Sequence, residues 1–135
     1  MRVEKVFIDT SVVLYAVDAN ASKADVADEI IDNGGFISVQ ILNESLEVMR
    51  RKWKLPWSKV RSFLEYLEAS CTVLPLKLET HHRAADIAEA TGIRIYDALL
   101  IATAEDAGCN ILLTEDLNDG QRIGSVTIRN PFIAA

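Results

Sequence analysis

Short apolar runs alternate along the chain with longer segments whose apolar residues recur every three or four positions. VFI at 6–8, FISV at 36–39, CTVL at 71–74, NILL at 110–113 and SVTI at 125–128 are brief, bounded by polar or turn residues, and read as buried strands. The segments between them have helical spacing. Val26, Ala27, Ile30 and Ile31 form one apolar face, with Ser22 and Asp25 as a capping box before it and Asn33-Gly34-Gly35 as its stop. Ile41, Leu42, Ser45, Leu46 and Met49 repeat at the same spacing, in a helix that ends before Pro56. Val60, Phe63, Leu64 and Leu67 mark the next helix, residues 79–91 another ending at Gly92. Tyr96 to Ala107 is apolar nearly all round, as expected of a central helix packed on a sheet.

Strands alternating with helices predict an α/β fold, with a mostly parallel sheet covered on both faces. Ligands in such folds bind beyond the carboxyl ends of the strands, where the strand order reverses. Four carboxylates fall at positions this topology can bring to that edge. Asp9 ends the first strand, and Glu44 lies in the helix after the second. Asp97 opens the apolar helix, and Asp116 follows the fourth strand.

Each acid has an ordinary explanation by itself. Asp9, before Thr10 and Ser11, suits a helix N-cap. Asp97 suits the first turn of a helix, where the dipole favours a negative charge. Asp116 suits a turn. Glu44 lies four residues after Gln40, off the apolar stripe, on a face that solvent could cover. Together they present a different problem. Two carboxylates 4 Å apart repel by about 4 kcal/mol at an effective dielectric near 20. Cations neutralise such a cluster, and hard oxygen donors favour Mg²⁺ or Mn²⁺. Ser11 and Thr114 are short hydroxyls beside the acids, placed to orient a carboxylate or to cap backbone. Asp119 is a fifth acid near the same edge, equally suited to a loop role.

With 135 residues, 50% hydrophobic and 25% charged, the chain is expected to fold as one globular domain. No apolar run is long enough to span a bilayer, and the first residues lack the pattern of a signal peptide, so a cytoplasmic location is expected, with no membrane partner. Cys71 and Cys109 sit in apolar contexts and read as reduced core residues. A net charge of −6 argues against nucleic-acid binding, but its distribution does not. Between Glu47 and Glu65 no acid occurs, and the window holds Arg50, Arg51, Lys52, Lys54, Lys59 and Arg61. Two divalent cations would bring −6 to −2. Trp53 and Trp57 lie in this basic window, where base stacking is conceivable; Trp57 continues the Val60 and Leu64 face and is expected to be packed.

FIDTSVVLYAVD at 7–18, SVQILNE at 38–44, YDALLIATA at 96–104, LLTEDLNDGQRI at 112–123 and VTIRNPF at 126–132 together resemble the PIN-domain family. In particular they resemble its VapC-type ribonuclease toxins of prokaryotic toxin–antitoxin pairs. The resemblance covers nearly the whole chain. It implies a single PIN domain over residues 1–135, a three-layer Rossmann-like fold with about five strands. It implies that Asp9, Glu44, Asp97 and Asp116 bind one or two Mg²⁺ or Mn²⁺ ions for RNA phosphodiester hydrolysis, supported by Ser11 and Thr114. Asp119 matches a position that is acidic in only some members. It further implies a homodimer and a cognate antitoxin that occupies the acidic site. Arg50, Arg51, Lys54 and Arg94 are then candidates for RNA phosphate contact, although the basic helical region could serve the antitoxin instead.

Three other enzyme or binding classes fit less well. An aspartyl-phosphate phosphatase needs Asp-x-Asp after the first strand, and this chain reads Asp9-Thr10-Ser11. A nucleotide-binding fold needs a Gly-rich loop there, and none follows. No Ser-His or Cys-His pairing is apparent, and His81 and His82 start a helix that carries none of the four acids. An RNA-processing nuclease without an antitoxin, and a non-catalytic module holding a basic peptide in an acidic groove, remain the alternatives.

Overall fold

The computed structural model describes residues 4–18 and 21–133. Strand β1 (Val6–Ile8) leads into a short helix α1 (Thr10–Val13), which a 3₁₀ turn (Leu14–Ala16) continues. Then follow α2 (Ala21–Asp32), β2 (Phe36–Ser38) and α3 (Val39–Glu47), the last prolonged by a π turn (Val48–Lys52). Helix α4 (Trp57–Ser70), β3 (Thr72–Leu74), α5 (Leu78–Thr91) and α6 (Ile95–Asp106) come next, before β4 (Ile111–Leu113), β5 (Arg122–Ile123) and β6 (Val126–Arg129).

The sheet order is β3-β2-β1-β4-β6-β5. Every neighbouring pair is parallel except β5 with β6. Five of the six strands are where the apolar runs predicted them. The sixth, β5, is a two-residue antiparallel edge strand in a stretch rich in turn residues, too short to carry a period-2 pattern. The order reverses between β1 and β4, so the ligand crevice of a parallel sheet falls between these two strands. The ladder continues past both ends there: Asp9 N donates to the Leu113 carbonyl at 3.0 Å, and Thr114 N to the Arg129 carbonyl at 3.1 Å.

The core lies on both faces of the sheet, with Phe7, Ile8, Ile37, Leu112 and Ile128 almost wholly enclosed. Helix α6 buries Ala98, Leu100, Ile101, Ala102, Thr103 and Ala104, as its all-round apolarity predicts. Helix α5 packs against it, fastened by Thr80 Oγ1 donating to Asp106 at 2.6 Å and by the Arg83–Glu105 ion pair. Gly92 ends α5 at φ 77°, the left-handed conformation a glycine adopts without penalty. Gly35 serves another purpose: a Cβ there would stand 3.0 Å from Ile8 Cδ1, so its bareness lets β2 lie close to β1. Ser22 lies inside α2, which begins at Ala21; the position a cap would occupy, residue 20, is outside the described residues. Cys71 and Cys109 are both free and buried. Among the described residues, no helix is long and apolar enough to cross a membrane.

Candidate functional site

An open cavity of about 350 Å³ sits at the carboxyl ends of β1 and β4, and Asp9, Glu44, Asp97 and Asp116 all line it. Four elements deliver them. Asp9 is at the β1–α1 junction, Glu44 on α3, Asp97 in the first turn of α6 and Asp116 in the loop after β4. Arg94, the residue before α6, lines the same cavity, so the rim carries one cation among the acids.

Asp9 is the most elaborately held of the four. It is nearly enclosed, with 6% of its surface exposed. Its Oδ1 accepts from Thr10 N at 2.7 Å, the N-cap bond of α1. Its Oδ2 accepts from Ser11 Oγ at 2.9 Å and Thr114 Oγ1 at 2.9 Å. The N-cap role and a place in the acid cluster are therefore compatible, because the cap uses only Oδ1. Thr114 Oγ1 also accepts from Asp116 N at 3.1 Å, and Ser11 Oγ from Glu115 N at 3.3 Å. These two hydroxyls thus tie Asp9 to the loop that carries Asp116. Glu44 is fixed from the other side, its Oε1 accepting from Thr10 Oγ1 at 3.0 Å.

Electrostatics adds to the picture. Burial pushes the Asp9 carboxyl above its ordinary value, the hydroxyl and amide donors pull it back, and the charge of Asp116 pushes it up further. Asp116 is also raised, by burial and then by the charges of Glu115 and Asp97. A cation in the cavity would relieve both pressures. Among the described residues, no three His, Cys, Asp or Glu side chains form a ready-made ion cage. The donor set nevertheless fits Mg²⁺ or Mn²⁺: all its ligating atoms are hard oxygens, and Mg²⁺ keeps several waters while taking only one or two carboxylates directly.

Other predicted site residues lie elsewhere. Asp119 does not line the cavity; its Oδ1 accepts from Asn130 N at 2.8 Å and pins the 119 loop to the chain beyond β6. Arg50 is turned onto its own connection, donating to the Leu55 carbonyl at 2.8 Å and lying 4.7 Å over the Trp57 ring. Arg51 pairs with Glu47 one helical turn back. Lys54 is exposed and stands at φ 54° on the turn after α3, outside the acid cavity. His81 and His82 are exposed on α5, away from the cavity.

Several lining residues did not stand out in the sequence. Thr10, Gln40 and Tyr96 complete the wall. Gln40 was visible as the residue one helical turn before Glu44; Tyr96 carries no pattern beyond its adjacency to Asp97. Behind the wall lies a network with no local sequence signal. Tyr15 Oη donates to Glu115 Oε1 at 2.6 Å, and Lys23 pairs with Glu115 Oε2 at 3.2 Å while lying over the rings of Tyr15 and Phe132. Glu115 is thereby ion-paired and does not line the acid cavity, although its charge still pushes Asp116 up. That network spans 8 to 100 residues of sequence separation, which no local pattern encodes.

Comparison with known proteins agrees with this architecture. The family model for the PIN domain matches residues 6–122. No curated protein sequence matches the chain. Among solved structures, DNA-bound VapBC from Salmonella typhimurium is similar at a TM-score of 0.72 and 16% identity, covering 96% of this chain and 99% of that one. A toxin–antitoxin complex from Klebsiella pneumoniae is similar at 0.70 and 14%, covering 95% and 98%. The sarcin–ricin-loop-cleaving toxin VapC20 of Mycobacterium tuberculosis is similar at 0.65 and 14%, covering 80% and 87%.

Proposed function

The chain belongs to the PIN domain family, and from that premise we propose that it is a divalent-metal-dependent endoribonuclease, the toxin of a toxin–antitoxin pair. The convergence of Asp9, Glu44, Asp97 and Asp116 on one cavity at the β1–β4 crevice carries the proposal. The similarity to toxin–antitoxin structures from two bacteria and to a toxin that cleaves the sarcin–ricin loop supports the biological part. RNA is then the substrate, a cognate antitoxin the regulator and a homodimer the working assembly.

Asp9, Glu44, Asp97 and Asp116 are the residues that would hold one or two Mg²⁺ or Mn²⁺ ions. The bound ion supplies Lewis-acid activation of water and charge compensation at the phosphate. The chain's own contribution is to aim and fix its donors. Ser11 and Thr114 donate to Asp9 Oδ2 and hold that carboxylate in one orientation. Thr10 does the same for Glu44. Lys23 and Tyr15 hold Glu115, which does not line the cavity. Arg94 lines the same cavity, and in this reading its guanidinium would meet a phosphate oxygen as the backbone of the substrate enters. No side-chain nucleophile is required, and a water attacking in line leaves a 5′-phosphate and a 3′-hydroxyl.

Incubating the purified protein with total RNA in Mg²⁺, Mn²⁺ or EDTA, with mapping of the new ends, tests the proposal. Cuts that appear with metal, vanish with EDTA and are lost in Asp97→Asn are expected. Metal-independent cuts, or full activity in Asp97→Asn, would sink it.

A further inference from the structure

Beside the acid cavity lies a second cleft of about 250 Å³, and the two share Ser11 and Leu14 in their walls. Tyr15, Asp18, Val48, Lys52, Trp53 and Glu115 line the new part. The backbone explains how Trp53 comes to be there. Stepping by four along α3, Ile41, Ser45 and Met49 form a column with 0% exposure. Regular α-helical bonding would set Trp53 next in that buried column. Instead Trp53 N donates to the Val48 carbonyl at 3.1 Å, five residues back, through the π turn. This moves Trp53 onto the neighbouring column of Gln40, Glu44 and Val48. Gln40 and Glu44 line the acid cavity, and Val48 lines the cleft. The inserted residue therefore extends the line of the acid cavity with a half-buried indole and the exposed Lys52.

We propose that this cleft is a subsite for one nucleotide of single-stranded RNA flanking the scissile phosphate, with the base stacked on Trp53 and its phosphate met by Lys52. The proposal rests on the ribonuclease reading for its ligand but not for its geometry. Indole faces stack bases of any sequence, and an ammonium beside them meets the backbone. Of the two carboxylates in the cleft, Asp18 and Glu115, the second is paired with Lys23 at 3.2 Å, which lowers its repulsion of an anionic strand. Trp57, the chain's other tryptophan, is half exposed rather than packed as its helical register predicts, with Arg50 over one face of its ring, and it does not line the cleft. The subsite accounts for why the basic window contributes Lys52 here while Arg50 and Arg51 are held by contacts of their own.

The test uses the full chain carrying Trp57→Phe, which leaves Trp53 as the single tryptophan, excited selectively beyond the tyrosine band. It is titrated with octameric single-stranded RNA in Ca²⁺, which takes the same oxygen donors as Mg²⁺. Binding is expected to quench Trp53. Trp53→Ala and Trp53→Leu should each weaken binding about tenfold, and Trp53→Phe should largely restore it, because the ring face and not the apolar bulk is used. Lys52→Ala should reduce the slope of log affinity against log salt by about one. RNA that binds without quenching Trp53 overturns the subsite, as does a Trp53→Leu variant that binds like the parent. Quenching by an oligoarginine peptide but not by RNA assigns the cleft to protein and also overturns it. Quenching is read without cleavage. Loss of metal-dependent cutting with quenching intact therefore refutes the ribonuclease reading alone, and intact cutting with an unquenched Trp53 refutes the subsite alone.

Discussion

Asp9 stands in a place that burial alone would make costly for a carboxylate, and three donors offset that cost. Two of the donors are side-chain hydroxyls, so their removal should loosen the carboxylate without unfolding the chain. Thr114→Val, which keeps the shape, is expected to lower activity at limiting Mg²⁺ by ten- to a hundredfold, with recovery at high Mg²⁺, on the scale at which outer partners tune metal sites. A Mg²⁺ titration of cleavage rate for this variant checks it. The cysteines make a second residue-scale case. Burial pushes the thiols of Cys71 and Cys109 up to about 11 each, from an ordinary value of 9.0. The folded chain thus holds these protons more tightly than the unfolded chain does. Their contribution to stability is fully present below pH 9 and lost as pH rises toward 11. Alkylation of the native protein at pH 8 should be slow, and both thiols should react at once in denaturant. The four acids were legible as residues because each sat against an apolar run. Asp119 was legible only as an acid near the same edge, with a loop role equally open, and it takes the loop role by accepting from Asn130 N.

Among the elements, the strands were readable because three or four consecutive apolar residues can hardly be anything else in a sheet buried on both faces. The edge strand β5 was not, since two residues carry no period. Helix α5 was readable to its last residue from Gly92. Gly92→Ala should cost about 1 kcal/mol, from the positive φ alone, as no atom crowds the added Cβ. A urea melt measures it. The π turn was invisible, because a helix-period pattern carries through one inserted residue with little change. Its effect is large all the same, since it decides whether Trp53 faces the core column or the cleft. Arg50 stabilises this turn through the Leu55 carbonyl and the Trp57 ring. Arg50→Ala is therefore expected to lower stability by about 1–2 kcal/mol, with a larger loss of RNA affinity than the removal of one surface charge explains. Melting curves alongside binding isotherms separate the two effects.

At the scale of the whole molecule, the topology turns four separated acids into one cavity. The sequence separations are long, yet the parallel order β2-β1-β4 puts the carboxyl ends of the neighbouring strands side by side. That juxtaposition could be argued from the alternation of strands and helices before any coordinate was known. The Tyr15–Glu115–Lys23 network could not, because it depends on how the loop after β4 meets α1 and α2. If the proposed metal site is right, a chain of net charge −6 whose acids share a cavity should also be stabilised by a divalent ion bound there. Millimolar Mn²⁺ is expected to raise the melting temperature, and EDTA to abolish the rise, by scanning calorimetry.

The central claim is that the four carboxylates act as one divalent-metal site. Titrating the protein with Mn²⁺ while following the free-ion electron paramagnetic resonance signal tests it most directly. One or two bound ions per chain are predicted, with affinity reduced at least tenfold in both Asp9→Asn and Asp97→Asn while their circular dichroism is unchanged. Absence of binding in the parent, or equal affinity in both variants, would contradict it.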